Sequence, residues 1–220
     1  MQELTKNIVE LKKEIDADIS ALMKGGGAQY GSSNIVMNPY DFMRKIFPFY
    51  QGDVKETVED SLVSPALVIG GTYRDYEHVT VDKNYLNDIN DASLQGIDKP
   101  IYYKFGDFPL HIAWEGKNRV SIFKKHGVDI VCKECLTTYP SSGSLLIHKA
   151  RFRKNVYFLS CKDEKFIHRE SNYEQIYFPD YVLPLLKRYG VKEGRPIFKP
   201  FSVQSYKQII AEFSLYLLKD

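Results

Sequence analysis

Cysteine is scarce in this chain: three in 220 residues. Three thiols cannot make the framework of bridges that holds a small secreted domain together, so the fold has to rest on a hydrophobic core. Long apolar runs are missing as well. None reaches the ~20 residues that a membrane span needs. Residues 1–24 carry Glu and Asp throughout, without the continuous apolar stretch of a signal peptide. The expectation is a cytoplasmic protein that makes no membrane contact. Internal repeats and low-complexity tracts are also lacking. Nor does one sign of charge dominate, since the net charge is +2, which by itself points to no class of partner.

Aromatics are plentiful, with 16 Tyr and 13 Phe. Rings of this size bury enough area to offset the entropy of ordering a chain, which excludes a disordered protein. The length suits one substantial domain or two small ones. Charge is unevenly spread. Residues 1–116 hold 11 Lys+Arg against 18 Asp+Glu, and residues 117–220 hold 19 against 10. A basic second half suits an anionic partner such as a nucleotide or nucleic acid; equally, the two halves could attract each other within one fold.

Leu4, Ile8, Leu11, Ile15 and Leu22 make a narrow apolar stripe over a helix at 4–22, with Asp18 breaking one core position. Such a stripe needs a partner: a second copy, giving a homodimer, or the body of the chain. Gly25-Gly26-Gly27 ends the helix and opens a linker to residue 33. Beyond it the pattern predicts short helices at 40–50 and 55–62 and short strands at 66–69 and 76–81. Residues 82–100 read as loop with a short helix at most. Strands are expected at 110–114, 128–135, 145–147 and 155–160, and helices at 118–126, 181–189 and 205–218.

The most informative stretch is Glu115-Gly116-Lys117-Asn118-Arg119, a turn between a strand and a helix that Gly127 closes. A glycine turn opening a helix leaves backbone N–H groups unpaired at the positive helix end, which is an anion site in outline. Lys117 and Arg119 add charge and side-chain donors.

These residues resemble the ParB/sulfiredoxin superfamily, whose signature is a strand, an Asp-Gly-x-His-Arg or Gly-x-x-Arg turn, a short helix, a glycine and a strand. Glu59-Asp60-Ser61-Leu62 and Pro65-Ala66-Leu67-Val68 resemble the family's lead-in to its first strand. The resemblance implies an α+β fold: a ParB/sulfiredoxin-like mixed sheet with short helices over 34–136. The helix and Gly-rich linker of 1–33 precede it, and a β-rich, helical C-terminal extension, 137–220, packs on it. It also implies a phosphate- or nucleotide-binding protein associated with DNA, of the kind found in bacterial plasmids, phages and defence loci. The ligand would be ATP or CTP, with or without Mg²⁺, held by Gly116, Lys117, Asn118 and Arg119. The alternatives are a nucleotide-dependent enzyme of the same superfamily, a small-molecule kinase or NTP hydrolase with Glu115, or else Glu59 or Asp60, as its base, and a non-catalytic interaction protein. Asn118 stands where many members have His. No Cys precedes Arg119, which excludes sulfiredoxin activity. Residues 137–180 read as strand and loop where a partition protein carries a helix-turn-helix.

Two further groups need weighing. Cys132 and Cys135 form C-x-x-C, but within an expected strand, where residues three apart face opposite sides. Buried thiols and no structural metal are expected. Lys149, Arg151 and Arg153 alternate with Ala150 and Phe152, between or within the strands expected at 145–147 and 155–160, with His148 and Lys154 nearby. On one strand face they would form a basic ridge suited to a nucleic-acid backbone, or a solvated edge guarded by charge.

Overall fold

The computed structural model describes residues 1–25, 36–70, 79–167, 171–198 and 203–216. The elements run α1 (Gln2–Gly25), α2 (Pro39–Ile46), β1 (Val54–Val63), β2 (Val68–Ile69), α3 (Lys83–Leu94), β3 (Ile101–Lys104) and β4 (His111–Ala113). They continue with α4 (Lys117–His126), β5 (Ile130–Thr137), β6 (Leu145–Lys149), β7 (Tyr157–Cys161), β8 (Tyr173–Ile176), α5 (Pro179–Tyr189), β9 (Lys192–Glu193) and α6 (Tyr206–Phe213). The chain is a mixed α+β protein with an N-terminal helix and two mixed sheets. The first sheet has the order β1-β5-β3-β4-β2 and the second β8-β7-β6-β9. None of the described helices is long and apolar enough to cross a membrane.

The apolar stripe of α1 packs on the body. Ile8, Leu11, Ile15 and Ile19 are all but fully buried, while Leu22 is half exposed. The stripe thus continues at Ile19, four residues on, and follows the 3.6-residue period of a single packed helix. Of the two partners the stripe could take, the body of the chain is the one it packs on here. Asp18, off the stripe, accepts a hydrogen bond from the Tyr206 hydroxyl of α6.

One large core joins α1, α2 and the 105–110 segment to the second sheet, α5 and α6. A smaller one lies between the other face of the first sheet and α3 and α4. The aromatics concentrate in the first. The rings of Phe47, Tyr50, Phe105, Phe108, Tyr139 and Tyr189 contact one another, with centroids between 4.5 and 6.4 Å apart. Burial pushes the Tyr139 hydroxyl well above the ordinary tyrosine pKa, and its proton goes to the Pro48 carbonyl at 3.1 Å.

Several elements differ from expectation for identifiable reasons. Residues 55–62 are strand β1, not helix. Val54, Thr57, Val58 and Val63 are β-branched, Asp60 has φ 58°, and β1 lies along β5 with two register shifts. Helix α3 occupies most of the expected 82–100 loop. Asp82 caps it by accepting from the Asn84 amide at 3.0 Å. Its buried face contains Leu86, Asn90 and Ser93, so two polar residues conceal the period. Asn90 is a bridge, donating to the Asp129 carbonyl at 2.9 Å and accepting from the Val131 amide at 3.0 Å. Helix α2 stops at Ile46 rather than 50 because Phe47 precedes Pro48, and the residue before a proline is driven out of the helical region. Helix α6 gives way at Ser214 to a 3₁₀ turn. The strand expected at 76–81 falls largely outside the described residues, and residues 79–81 are not strand.

Candidate functional site

The stretch read as a phosphate turn has the local geometry its sequence suggests. Strand β4 enters, and the amides of Trp114 and Glu115 both donate to the Ile101 carbonyl, at 3.0 and 3.1 Å. Gly116 then takes φ 71°, ψ 26° as the N-cap of α4, and no side chain caps the helix start. A β-carbon at Gly116 would stand 2.4 Å from Cβ of Pro100. At the far end Gly127, with φ 63°, closes α4, its amide donating to the Lys124 carbonyl.

The five residues of the motif are differently employed. Glu115 is exposed, and its carboxylate accepts no hydrogen bond among the described residues. Lys117 and Asn118 are half-buried in the first turn of α4. Arg119 is already engaged. Its guanidinium donates to Ser93 Oγ at 2.8 Å, to the Asp98 carbonyl at 2.5 Å and to Asp98 Oδ2 at 2.6 Å. It therefore ties α4 to the end of α3 and to the loop before β3. The sequence does not single out Ser93 or Asp98; nothing but the Asp-Lys-Pro turn composition marks the loop. Beneath this helix the Tyr102 hydroxyl is buried without a hydrogen-bond partner among the described residues.

Cys132 and Cys135 lie on opposite faces of β5. Cys132 is inside the smaller core beside Tyr102, and Cys135 is near Thr57. Burial raises the Cys132 thiol to about 12. Among the described residues no group of His, Cys, Asp and Glu is arranged to hold a metal ion. A buried pair that the sequence does not reveal lies nearby. His111 Nε2 is 2.6 Å from Glu134 Oε1, and that hydrogen bond is the largest influence holding the Glu134 carboxyl below its ordinary value.

No family model matches the chain, and neither does any curated protein or solved structure.

The basic residues of the second half are brought together, though not as the expected ridge. Strand β6 ends at Lys149, so Arg151 and Arg153 do not share a strand face. They lie in the turn between β6 and β7, which Asn155 helps to reverse at φ 56°. Past β6 the backbone still pairs on both sides: Ala150 N donates to the Val156 carbonyl at 3.0 Å, and Lys149, Ala150 and Arg151 pair with Ile197. Ile197 N donates to the Lys149 carbonyl and Arg151 N to the Ile197 carbonyl, both at 3.1 Å. His148 is not part of the surface. It is buried, with Nδ1 2.9 Å from the Arg195 carbonyl and Nε2 2.9 Å from Ser160 Oγ.

The result is a cleft of about 680 Å³ lined by Lys149, Arg151, Phe152, Arg153, Lys154 and Arg195, with Ala150 and Pro196. Five of the eight lining residues are cations and none is an anion. The Glu193 carboxylate feels Lys149 but is bound to Lys187 at 2.6 Å. A second cavity, of about 420 Å³, is lined by Asp41, Glu174 and Glu212 as well as Arg44 and Lys45. Its charges are mixed, and Lys45 and Glu212 pair with each other.

Proposed function

We propose that this chain is a nucleic-acid-binding protein whose contact surface is the cleft around the β6–β7 turn. One observation carries the reading: five cations from two separate chain segments line a single cleft that no carboxylate among the described residues lines. Phosphate backbones are bound by such clusters through release of condensed counterions, and affinity then falls steeply with salt. Lys149, Arg151 and Arg153 are the residues expected from the sequence, and Arg195 joins them. Filter binding of a labelled oligonucleotide should show retention at low salt. The logarithm of affinity should fall linearly with the logarithm of salt concentration. Replacing Arg151, Arg153 and Lys154 together by Ala should reduce the steepness of that line by about one unit for each phosphate left without its cation. Absence of retention at low salt would remove the proposal.

A second reading keeps the ParB-like nucleotide site, for ATP or CTP with or without Mg²⁺, at Gly116, Lys117, Asn118 and Arg119, with Glu115 beside it. What favours it is the strand–turn–helix–strand unit with an uncapped helix start at Gly116. Against it stands the employment of Arg119 by Asp98 and Ser93. Arg119→Ala separates the two roles. Removing these hydrogen bonds should cost about 1–2 kcal/mol of stability, the lower part of the range for charged groups, because Asp98 is highly exposed and well screened. A nucleotide at 100 times its Kd adds about 2.7 kcal/mol. If Arg119 holds phosphate, that gain disappears in the variant. If Arg119 only ties α4 to its neighbours, the melting temperature falls and any nucleotide-induced gain survives.

A further inference from the structure

The basic cleft has a feature that phosphate binding alone does not use. Phe152 and Phe198 stand at its edge 76% and 72% exposed, among the most exposed large apolar side chains in the described protein. Their ring centroids are 5.8 Å apart and their planes meet at 80°, so one ring presents its edge to the face of the other. The Arg151 guanidinium carbon lies 5.6 Å from the centre of the Phe152 ring. A core function is excluded for both rings by their exposure.

The backbone next to both rings is hydrogen-bonded: Arg151, before Phe152, pairs with Ile197, before Phe198. Phe198 follows Ile197, which is locked to the end of β6 by the two backbone hydrogen bonds described above. The chain reaches that position by passing over His148: Gly194 N donates to the Ile147 carbonyl at 2.8 Å, and a β-carbon at Gly194 would be 2.5 Å from the imidazole. His148 supports the carbonyl of Arg195 from below. The arrangement therefore rests on a strand ladder and a buried histidine, which favours a fixed recognition surface over a floppy loop.

Resting on the nucleic-acid reading, we infer that the ligand of this cleft is an unpaired strand, with bases stacked on Phe152 and Phe198 and phosphates held by the surrounding Lys and Arg. Charge alone would serve a duplex as well. The rings would not, because paired bases are stacked on one another and offer no free π-face, whereas every unpaired base does. Cations beside aromatics on a rigid turn fit a single strand, and the same rings have no role in holding a duplex by its backbone.

The test is fluorescence anisotropy on the full chain with a labelled oligo-dT of about 12 nucleotides, within the site sizes of single-strand binders, and a duplex of the same length. The protein should bind the oligo-dT more tightly than the duplex. Exchanging both rings in Phe152→Ala/Phe198→Ala should weaken oligo-dT binding by about five- to 150-fold for each stacked base. Duplex binding should stay unchanged, and so should the melting temperature, because neither ring is in the core. Phe152→Tyr should retain the preference. Equal affinity for both probes overturns the inference while leaving the nucleic-acid reading standing. So does a variant that weakens duplex binding as much as single-strand binding, which is the behaviour of a wedge driven between base pairs. Binding of neither probe at low salt overturns both.

Discussion

Asp16→Asn should destabilise the protein by about 3–5 kcal/mol at neutral pH, the cost of leaving a buried charge without its partner. For a chain of this length that is a fall in Tm of roughly 6–20 °C. Lys12 is the charge concerned. Its side chain is 2% exposed, and its ammonium is 2.5 Å from Asp16 Oδ2. The other carboxylate oxygen accepts from the Met37 amide at 2.8 Å. The pair therefore joins the middle of α1 to the start of the segment that leads into α2. An asparagine keeps an acceptor for Met37 but cannot balance the ammonium. Burial pushes the Lys12 pKa down, and Asp16 opposes that push. Without Asp16 the folded-state value drops further, while the unfolded chain keeps an ordinary lysine near 10.5. Between those two values the unfolded state binds more protons, so the variant's stability rises with pH. Denaturant melts of the variant should show the deficit narrowing as pH is raised from neutral toward about 10, the range below an ordinary lysine pKa. Lys12→Met should cost less, because Asp16 retains the Met37 amide. A deficit below about 1 kcal/mol that does not vary with pH, the size of an exposed pair, would mean that the lysine is hydrated and that α1 is not held in this way.

Much of the fold is legible in the sequence where one residue type enforces one geometry. Gly116 and Gly127 bracket α4 with left-handed conformations that glycine adopts without strain, and the apolar stripe of α1 places that helix against a core. What is hidden depends on distant partners. The buried face of α3 contains Asn90 and Ser93, whose value comes from Asp129, Val131 and Arg119, and no periodicity reveals a polar residue satisfied from so far along the chain. Strand β1 is mostly exposed, with Glu and Asp interspersed, so it carries neither the alternation of a half-buried strand nor a helical moment; pairing with β5 decides it. The basic turn is legible as a set of residues but not as a shape. Alternation suggests a straight ridge, while the chain reverses in the turn after Ala150, and the bridge between Ala150 and Ile197 sets Arg195 and Phe198, from beyond α5, beside it. Arg119 stands out as a phosphate ligand because its carboxylate partner, Asp98, lies 21 residues earlier in an unremarkable loop.

Gly116→Ala is expected to cost about 2–5 kcal/mol whether or not the turn binds any ligand, the sum of two contributions. A left-handed conformation at φ 71° costs an L-residue about 1–2 kcal/mol. The new methyl would also stand 2.4 Å from Cβ and 3.4 Å from Cα of Pro100. The proline ring is stiff and its carbonyl is bound by the Lys133 amide at 2.9 Å, so relief requires moving the start of β3 relative to β5, at the roughly 1–3 kcal/mol of an overpacked site. Gly127→Ala supplies the comparison within the same helix. Gly127 has a similar φ of 63° but nothing within 4 Å of an added β-carbon, so only the conformational cost of about 1–2 kcal/mol should appear. The difference between the two variants in one set of chemical melts measures the contact with Pro100. Equal costs would show that the turn shifts freely and that Pro100 does not constrain it. The comparison also governs how the nucleotide question can be asked. A glycine fixed by packing would be required in this turn for structural reasons alone, so a binding defect in Gly116→Ala would follow from the displaced strand as readily as from missing backbone donors. Lys117→Ala perturbs neither the turn nor Pro100, and it removes one of the charges a phosphate at the start of α4 would use. A nucleotide-induced gain in Tm that survives Lys117→Ala and Arg119→Ala alike would place that ligand away from α4.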